Sequence, residues 1–242
     1  MDNQKVTVLI DGKKVEAVKG EALLGVCQRN GVDIPTLCHN DQVTPEGRCR
    51  MCVTEIRWEQ GGRSRIVVSC LYPVDEGLIV DTRSEKVMLV RKTVLELLLA
   101  RNPEAEGLPE LAAEYGITKP RYPLDDEYGK CILCGLCVRT CREVVGVEAL
   151  GYMSRGTAKK VGPAFMEPSP VCIGCGACAF VCPTGHIVMT EKGDERKIWG
   201  KTFELEKCGK CGKLYAPKFE LEWMSKVTGV PYEKLAICPD CR

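Results

Sequence analysis

Sixteen of the seventeen cysteines in this 242-residue sequence sort into four sets of four, and that pattern dictates what the chain can fold around. Two sets repeat one spacing, C-x2-C-x2-C-x3-C: Cys131, Cys134, Cys137 and Cys141, then Cys172, Cys175, Cys178 and Cys182, the second followed by Pro183. This spacing holds a pair of 4Fe-4S clusters in which the fourth cysteine of each run crosses to the other cluster. The reading is therefore one cluster on Cys131, Cys134, Cys137 and Cys182, and a second on Cys172, Cys175, Cys178 and Cys141. Cys38, Cys49, Cys52 and Cys70 form a third set with wider gaps, and the pairs Cys208/Cys211 and Cys238/Cys241 form a fourth.

A cysteine-rich chain can instead be a disulfide scaffold, but such scaffolds belong to short secreted chains. The start, Met1-Asp2-Asn3-Gln4-Lys5, lacks the basic, apolar and small-residue regions of a secretory signal, so the chain is expected in the cytoplasm. The apolar stretch from Val94 to Ala100 is interrupted by Glu96 and falls well short of the roughly 20 residues that span a bilayer, so no membrane anchor is expected. A formal charge of +1 argues against nucleic-acid binding by bulk electrostatics. Each filled four-cysteine site adds about −2, which makes the loaded protein acidic.

The expected fold class is α+β, in four parts. Residues 1–82 read as a β-grasp 2Fe-2S domain, 83–127 as a helical connector, 128–190 as the two-cluster domain and 198–242 as a ribbon-like four-cysteine module. Residues 5–18 alternate around Asp11-Gly12, a hairpin signal, and Glu21 to Asn30 reads as a helix ending before Gly31. Further strands are expected at 53–57, 65–69 and 78–81. Ser84 is positioned to cap a helix through Arg101 with an apolar stripe of Val87, Val90, Val94, Leu97 and Leu98, and Leu108 to Tyr115 reads as a second helix. The charged stretch from Glu191 to Lys197 is expected as a separator, and 217–226 as a helix between the C-terminal cysteine pairs.

The third set, C-x10-C-x2-C-x17-C, lies in a Gly- and polar-rich loop of the β-grasp pattern and points to a 2Fe-2S cluster, with structural zinc as the alternative. The fourth, C-x2-C-x26-C-x2-C, has the paired-knuckle form that tetrahedral zinc occupies, with iron as the alternative. It is expected to fasten the C-terminus, its loss leaving the spectra of the three clusters nearly unchanged. Cys27 belongs to no set and reads as a small buried hydrophobe. No nicotinamide or flavin fingerprint occurs, and no catalytic residue is assigned.

Ile34-Pro35-Thr36-Leu37-Cys38-His39, Gly47-Arg48-Cys49-Arg50-Met51-Cys52-Val53 and Ser69-Cys70, followed by the helix to Ala100 and the paired runs, resemble two relatives. One is the N-terminal region of the large iron-sulfur subunit of NADH dehydrogenase; the other is the small diaphorase-type subunit of NAD(P)-linked hydrogenases. The resemblance spans residues 5 to about 190. It implies an electron-transfer subunit of a larger oxidoreductase, without an independent active site. Its partners would be a flavoprotein that binds NAD(P)H and a hydrogenase- or formate-dehydrogenase-type subunit, with ferredoxin as a further redox partner in electron bifurcation. One departure stands out. The family's middle 4Fe-4S cluster, held by one His and three Cys, is expected to be missing, because Asn102 takes the His position and no cysteine lies between 71 and 130. A free-standing multi-cluster ferredoxin and a succinate-dehydrogenase-type iron-sulfur subunit are the alternatives; the latter would require a plant-type first spacing.

Overall fold

The computed structural model describes residues 4–124 and 129–242, so Met1–Asn3 and the junction expected at 127/128 lie outside the described residues. The chain divides into two compact units, Met1–Cys134 and Gly135–Arg242.

In the first unit, β1 (Lys5–Ile10) and β2 (Lys13–Val18) form a hairpin in full register from Lys5↔Val18 to Ile10↔Lys13. Its turn residues have φ of 48° at Asp11 and 82° at Gly12, the paired positive values that a two-residue turn between twisted strands requires. Helix α1 (Leu23–Arg29) follows. The strands β3 (Val53–Trp58), β4 (Arg65–Val68) and β5 (Leu78–Asp81) complete a five-stranded sheet of order β2-β1-β5-β3-β4, in which only the β1–β5 neighbours run parallel. Alternation places Val6, Val8 and Ile10 on one face of β1, where they pack with Leu23, Leu24 and Val26 of α1 and with Ile56, Leu78 and Val80. Cys27 belongs to this core, and burial pushes its thiol up to about 12, as an inert structural cysteine requires.

Helix α2 (Glu85–Arg101) begins at the expected cap, with Ser84 Oγ accepting from the Val87 amide at 3.3 Å. Its inner face differs from the expected stripe. Val87, Arg91, Leu95 and Leu99 are buried at four-residue intervals, whereas Leu97 is 49% exposed. Arg91 occupies that face, its buried guanidinium donating to the carbonyls of Met51 (3.1 Å) and Val53 (2.8 Å). A hydrophobic reading could not anticipate a charged residue on the buried side. Glu96, also buried, receives the Arg121 guanidinium through Nε and Nη2, which ties α2 to the segment after α3 (Leu108–Glu114) and holds the carboxyl below its usual range. Asn102, fully buried at the end of α2, donates through Nδ2 to the carbonyls of Gly129 and Cys131, each at 3.1 Å.

The second unit starts with the short α4 (Leu136–Arg139), which runs into a π-helical stretch, Thr140–Val145. β6 (Gly151–Met153) pairs with β7 (Lys160–Gly162), and α5 (Ala177–Phe180) lies within the second cysteine run. The charged stretch expected as a separator is instead built into a sheet. β8 (Met189–Lys192) and β9 (Glu195–Ile198) pair across it, and β10 (Lys201–Lys207) and β11 (Leu214–Pro217) extend the sheet in the order β11-β10-β9-β8. Its strands are charged because their outer face meets water; the inward positions Arg196, Ile198, Phe203 and Leu205 are buried. Helix α6 (Lys218–Thr228), close to the expected 217–226, and the short α7 (Tyr232–Leu235) lead to the last cysteines. Among the described residues no helix is long and apolar enough to cross a membrane.

Candidate metal centres

The first-unit quartet sits at the end of the sheet. Cys38 and Cys49 lie in the long loop before β3, Cys52 immediately precedes β3, and Cys70 follows β4. All four are buried. Two amides point at their sulfurs, Leu37 N–H at Cys49 Sγ (3.4 Å) and Cys49 N–H at Cys38 Sγ (3.3 Å). The thiols pair two by two. Contact with Cys38 pushes the Cys49 thiol up, and contact with Cys70 draws the Cys52 thiol down to about 6 while Cys70 is pushed up. Thiols in contact share protons in this way, because neighbouring thiolates repel. Two sulfur pairs with inward-pointing amides suit a two-iron core. His39, one residue beyond Cys38, contacts Asp41 through Nε2 at 3.1 Å.

Arg91 supports this site from beneath, because the carbonyls it holds flank Cys52. Replacing Arg91 with Met is expected to leave both carbonyls buried and unpaired, at a cost of about 1–3 kcal/mol each. Urea denaturation of the iron-loaded protein, followed through the visible band of the 2Fe-2S site, should show that loss.

In the second unit, a cavity is lined by Cys141, Cys172, Cys175 and Cys178 together with Val145, Val147, Ile173, Ile198 and Trp199. Cys141 comes from the first run and the other three from the second; the π-helical stretch and the turn after it bring Cys141 across. The amide of Ala149 donates to Cys141 Sγ at 3.2 Å, and the indole Nε1–H of Trp199 donates to Cys178 Sγ at 3.4 Å. Burial pushes the Cys175 thiol up to about 11 and that of Cys178 up to about 12, so loading iron here releases protons. Four sulfurs around an apolar hollow, with N–H groups aimed at them, suit a polynuclear cluster. Of the other expected set, Cys131 and Cys134 fall in the first unit and Cys137 and Cys182 in the second.

Gly174, between the second-run cysteines, has φ of 74° and lies against the ring of Phe203, where an added Cβ would stand 2.6 Å from a ring carbon. Arg196 donates through Nη1 to the carbonyls of Gly174 (3.0 Å) and Cys175 (3.4 Å), and Lys201 Nζ reaches the carbonyl of Cys172 at 2.9 Å. Sheet strands β9 and β10 thus grip the cysteine loop directly. The sheet that leads into the C-terminal cysteines is continuous with the wall of the cavity, which Ile198 and Trp199 line. Sequence reasoning missed Arg196, Trp199 and Lys201, whose only local signal is a charged strand pair.

At the C-terminus, the sulfurs of Cys208, Cys211, Cys238 and Cys241 all lie within 4.8 Å of one another, with Cys211 Sγ to Cys238 Sγ at 3.8 Å. A tetrahedral ion with metal–sulfur bonds of about 2.3 Å spaces its thiolates about 3.8 Å apart. The backbone N–H of Cys238 leads the donors that draw the Cys208 thiol down to about 6, while contact with Cys211 pushes Cys241 up to about 12. The set fits a single closed four-thiolate ion.

Residues 3–85 match the 2Fe-2S iron-sulfur cluster binding domain, and residues 171–213 match the 4Fe-4S dicluster domain. The second match includes Cys208 and Cys211, but the fold places those two with Cys238 and Cys241 and brings Cys141 to the second run. The chain is similar to the NADPH-Fe(3+) oxidoreductase alpha subunit of Geobacter sulfurreducens, at 31% identity over 85% of this chain and 26% of that protein. A subunit of the NADP-reducing hydrogenase of Solidesulfovibrio fructosivorans is 33% identical over 77% of this chain and 36% of that protein. The chain therefore spans about a quarter to a third of the length of these curated relatives. In solved structures it is similar to a chain of the NAD+-reducing NiFe-hydrogenase in the H2-reduced state, with a TM-score of 0.59 and 30% identity over 74% of this chain and 85% of that chain. With the 2Fe-2S domain, the paired runs and these relatives in common, the chain belongs to the family of small diaphorase-type iron-sulfur subunits of NAD(P)-linked hydrogenases, which resembles the N-terminal region of the large iron-sulfur subunit of NADH dehydrogenase.

Proposed function

We propose that this chain is an electron-relay subunit carrying one 2Fe-2S and two 4Fe-4S clusters, with zinc at the C-terminal quartet, inside a multisubunit oxidoreductase. Its partners are a flavoprotein that exchanges electrons with NAD(P)H and a hydrogenase- or formate-dehydrogenase-type subunit, with ferredoxin as an additional redox partner. The observation that carries the reading is the cavity where Cys141 of one run meets Cys172, Cys175 and Cys178 of the other. That crossing is what a pair of 4Fe-4S clusters demands of two interleaved runs. Cys38, Cys49, Cys52 and Cys70 hold the 2Fe-2S cluster, and Cys131, Cys134, Cys137 and Cys182 hold the remaining 4Fe-4S cluster.

When bound, the clusters supply one-electron exchange. The chain's own residues exclude water, aim N–H groups at the sulfurs and fix the spacing between ligands. Modules at 1–82, 83–127, 128–190 and 198–242 divide these tasks. The middle cluster of the larger relatives has no ligand set here; Asn102 ties the end of α2 to the Gly129 and Cys131 carbonyls. The 2Fe-2S site is then either a side branch of the relay or connected to it through a partner subunit.

No nucleotide fingerprint occurs in the sequence. The purified, flavin-free chain is therefore expected to show no reduction by NADH or NADPH at a catalytic rate. Adding the flavoprotein that copurifies with it should bleach the visible cluster bands on nicotinamide addition. Rapid bleaching by nicotinamide alone contradicts the subunit reading.

A further inference from the structure

We propose that Trp199 sets the reduction potential of the cluster held by Cys141, Cys172, Cys175 and Cys178, as the donor of a hydrogen bond to the Cys178 sulfur. The inference rests on the reading of those four cysteines as 4Fe-4S ligands, and it assigns a redox task to the C-terminal sheet.

Two independent observations carry it. The first is the contact: Trp199 Nε1 lies 3.4 Å from Cys178 Sγ, and the indole lines the cavity. An indole has a single N–H and no acceptor, so it can only donate here. The second is the backbone. Ile198 and Lys201 pair directly across the tip of the β9–β10 hairpin, leaving Trp199 and Gly200 as a two-residue turn with φ of 52° and 72°. Such turns prefer Asn, Asp or Gly at the first position, and a bulky side chain at positive φ is an outlier. The hairpin therefore carries a residue poorly suited to its turn, and the strained conformation is the one that aims the indole at the sulfur. Strain held at one position by a well-braced surrounding is a pointer to function.

The bracing is present on both sides. Arg196 on β9 holds the Gly174 and Cys175 carbonyls, and Lys201 on β10 holds that of Cys172, so both strands of the hairpin are clamped to the cysteine loop. One-electron reduction adds a negative charge to the cluster and its thiolates. A donor directed at a thiolate sulfur stabilises the reduced state more than the oxidised one and raises the potential.

The test uses the anaerobically reconstituted full chain and Trp199→Phe, which keeps an aromatic ring over the cavity and removes the N–H. The expected result is unchanged iron content, with one 4Fe-4S signal titrating at a more negative potential than in the wild type and the other two centres unmoved. Wild-type protein labelled with 15N-indole tryptophan offers a readout that does not depend on how the variant folds. The reduced cluster should show one tryptophan nitrogen coupling in electron-nuclear double resonance. Identical midpoint potentials in Trp199→Phe, or no tryptophan coupling in the labelled wild type, overturns the proposal. Cys178→Ala separates the two layers: loss of one 4Fe-4S signal upholds the ligand reading whatever Trp199 does, whereas retention of both removes the reading and the proposal together.

Discussion

Cys141→Ala is expected to lose the cluster bound by the second cysteine run and to leave the other two centres loaded. Cys141 lies thirty-one positions before Cys172, yet both line one cavity, and the Ala149 amide already points at the Cys141 sulfur. Losing one thiolate of four opens the cluster to solvent and chelators. Iron analysis after anaerobic reconstitution and desalting should fall by about four atoms from about ten, and the magnetic interaction between the two 4Fe-4S centres should vanish. Retention of the second-run cluster with loss of the first-run cluster would reverse the crossing.

The second large effect is expected from Cys238→Ser/Cys241→Ser. Structural zinc in small modules contributes about 10–16 kcal/mol of apparent binding free energy at neutral pH, as much as the whole stability of a typical domain, about 5–15 kcal/mol. Halving the ligand set should unfold the C-terminal module, and the damage should spread inward. β11 pairs with β10 from Leu205↔Pro217 onward, the Phe203 and Phe219 rings lie 6.5 Å apart, and Phe203 sits against Gly174 in the cysteine loop. The 2Fe-2S centre should keep its spectrum, while the second-run 4Fe-4S cluster should become sensitive to a chelator that spares it in the wild type. Limited proteolysis beyond residue 198 and time-resolved iron loss check both parts. X-ray scattering at the zinc edge identifies the ion; iron at these four sulfurs would replace zinc and add a redox centre.

The spacing of the cysteines grouped them because cluster chemistry restricts which gaps let thiolates converge, and the structure gathers Cys141 with Cys172, Cys175 and Cys178, and the last four cysteines with one another. The β-grasp strands and α1 were also legible, since alternation and the Asp11-Gly12 turn are local signals. So was the start of α2, where the Ser84 cap is a one-residue feature. What escaped was set by partners distant in sequence. Arg91 is buried on α2 only because the Met51 and Val53 carbonyls need donors, so an apolar stripe drawn through Leu97 missed the inner face. The sheet from β8 to β11 hides behind charge: all four residues of β8 are exposed, and the inward residue of β9 that matters most is Arg196. Trp199 carries no local mark of a sulfur donor, because its meaning depends on Cys178, twenty-one positions earlier.

Stepwise anaerobic reduction of the reconstituted chain, followed by electron paramagnetic resonance, tests the central claim most directly. The account predicts one 2Fe-2S signal and two mutually interacting 4Fe-4S signals, with no redox-active contribution from the C-terminal quartet. A third 4Fe-4S signal, or a protein that assembles no 4Fe-4S pair with all sixteen ligand cysteines intact, would contradict it.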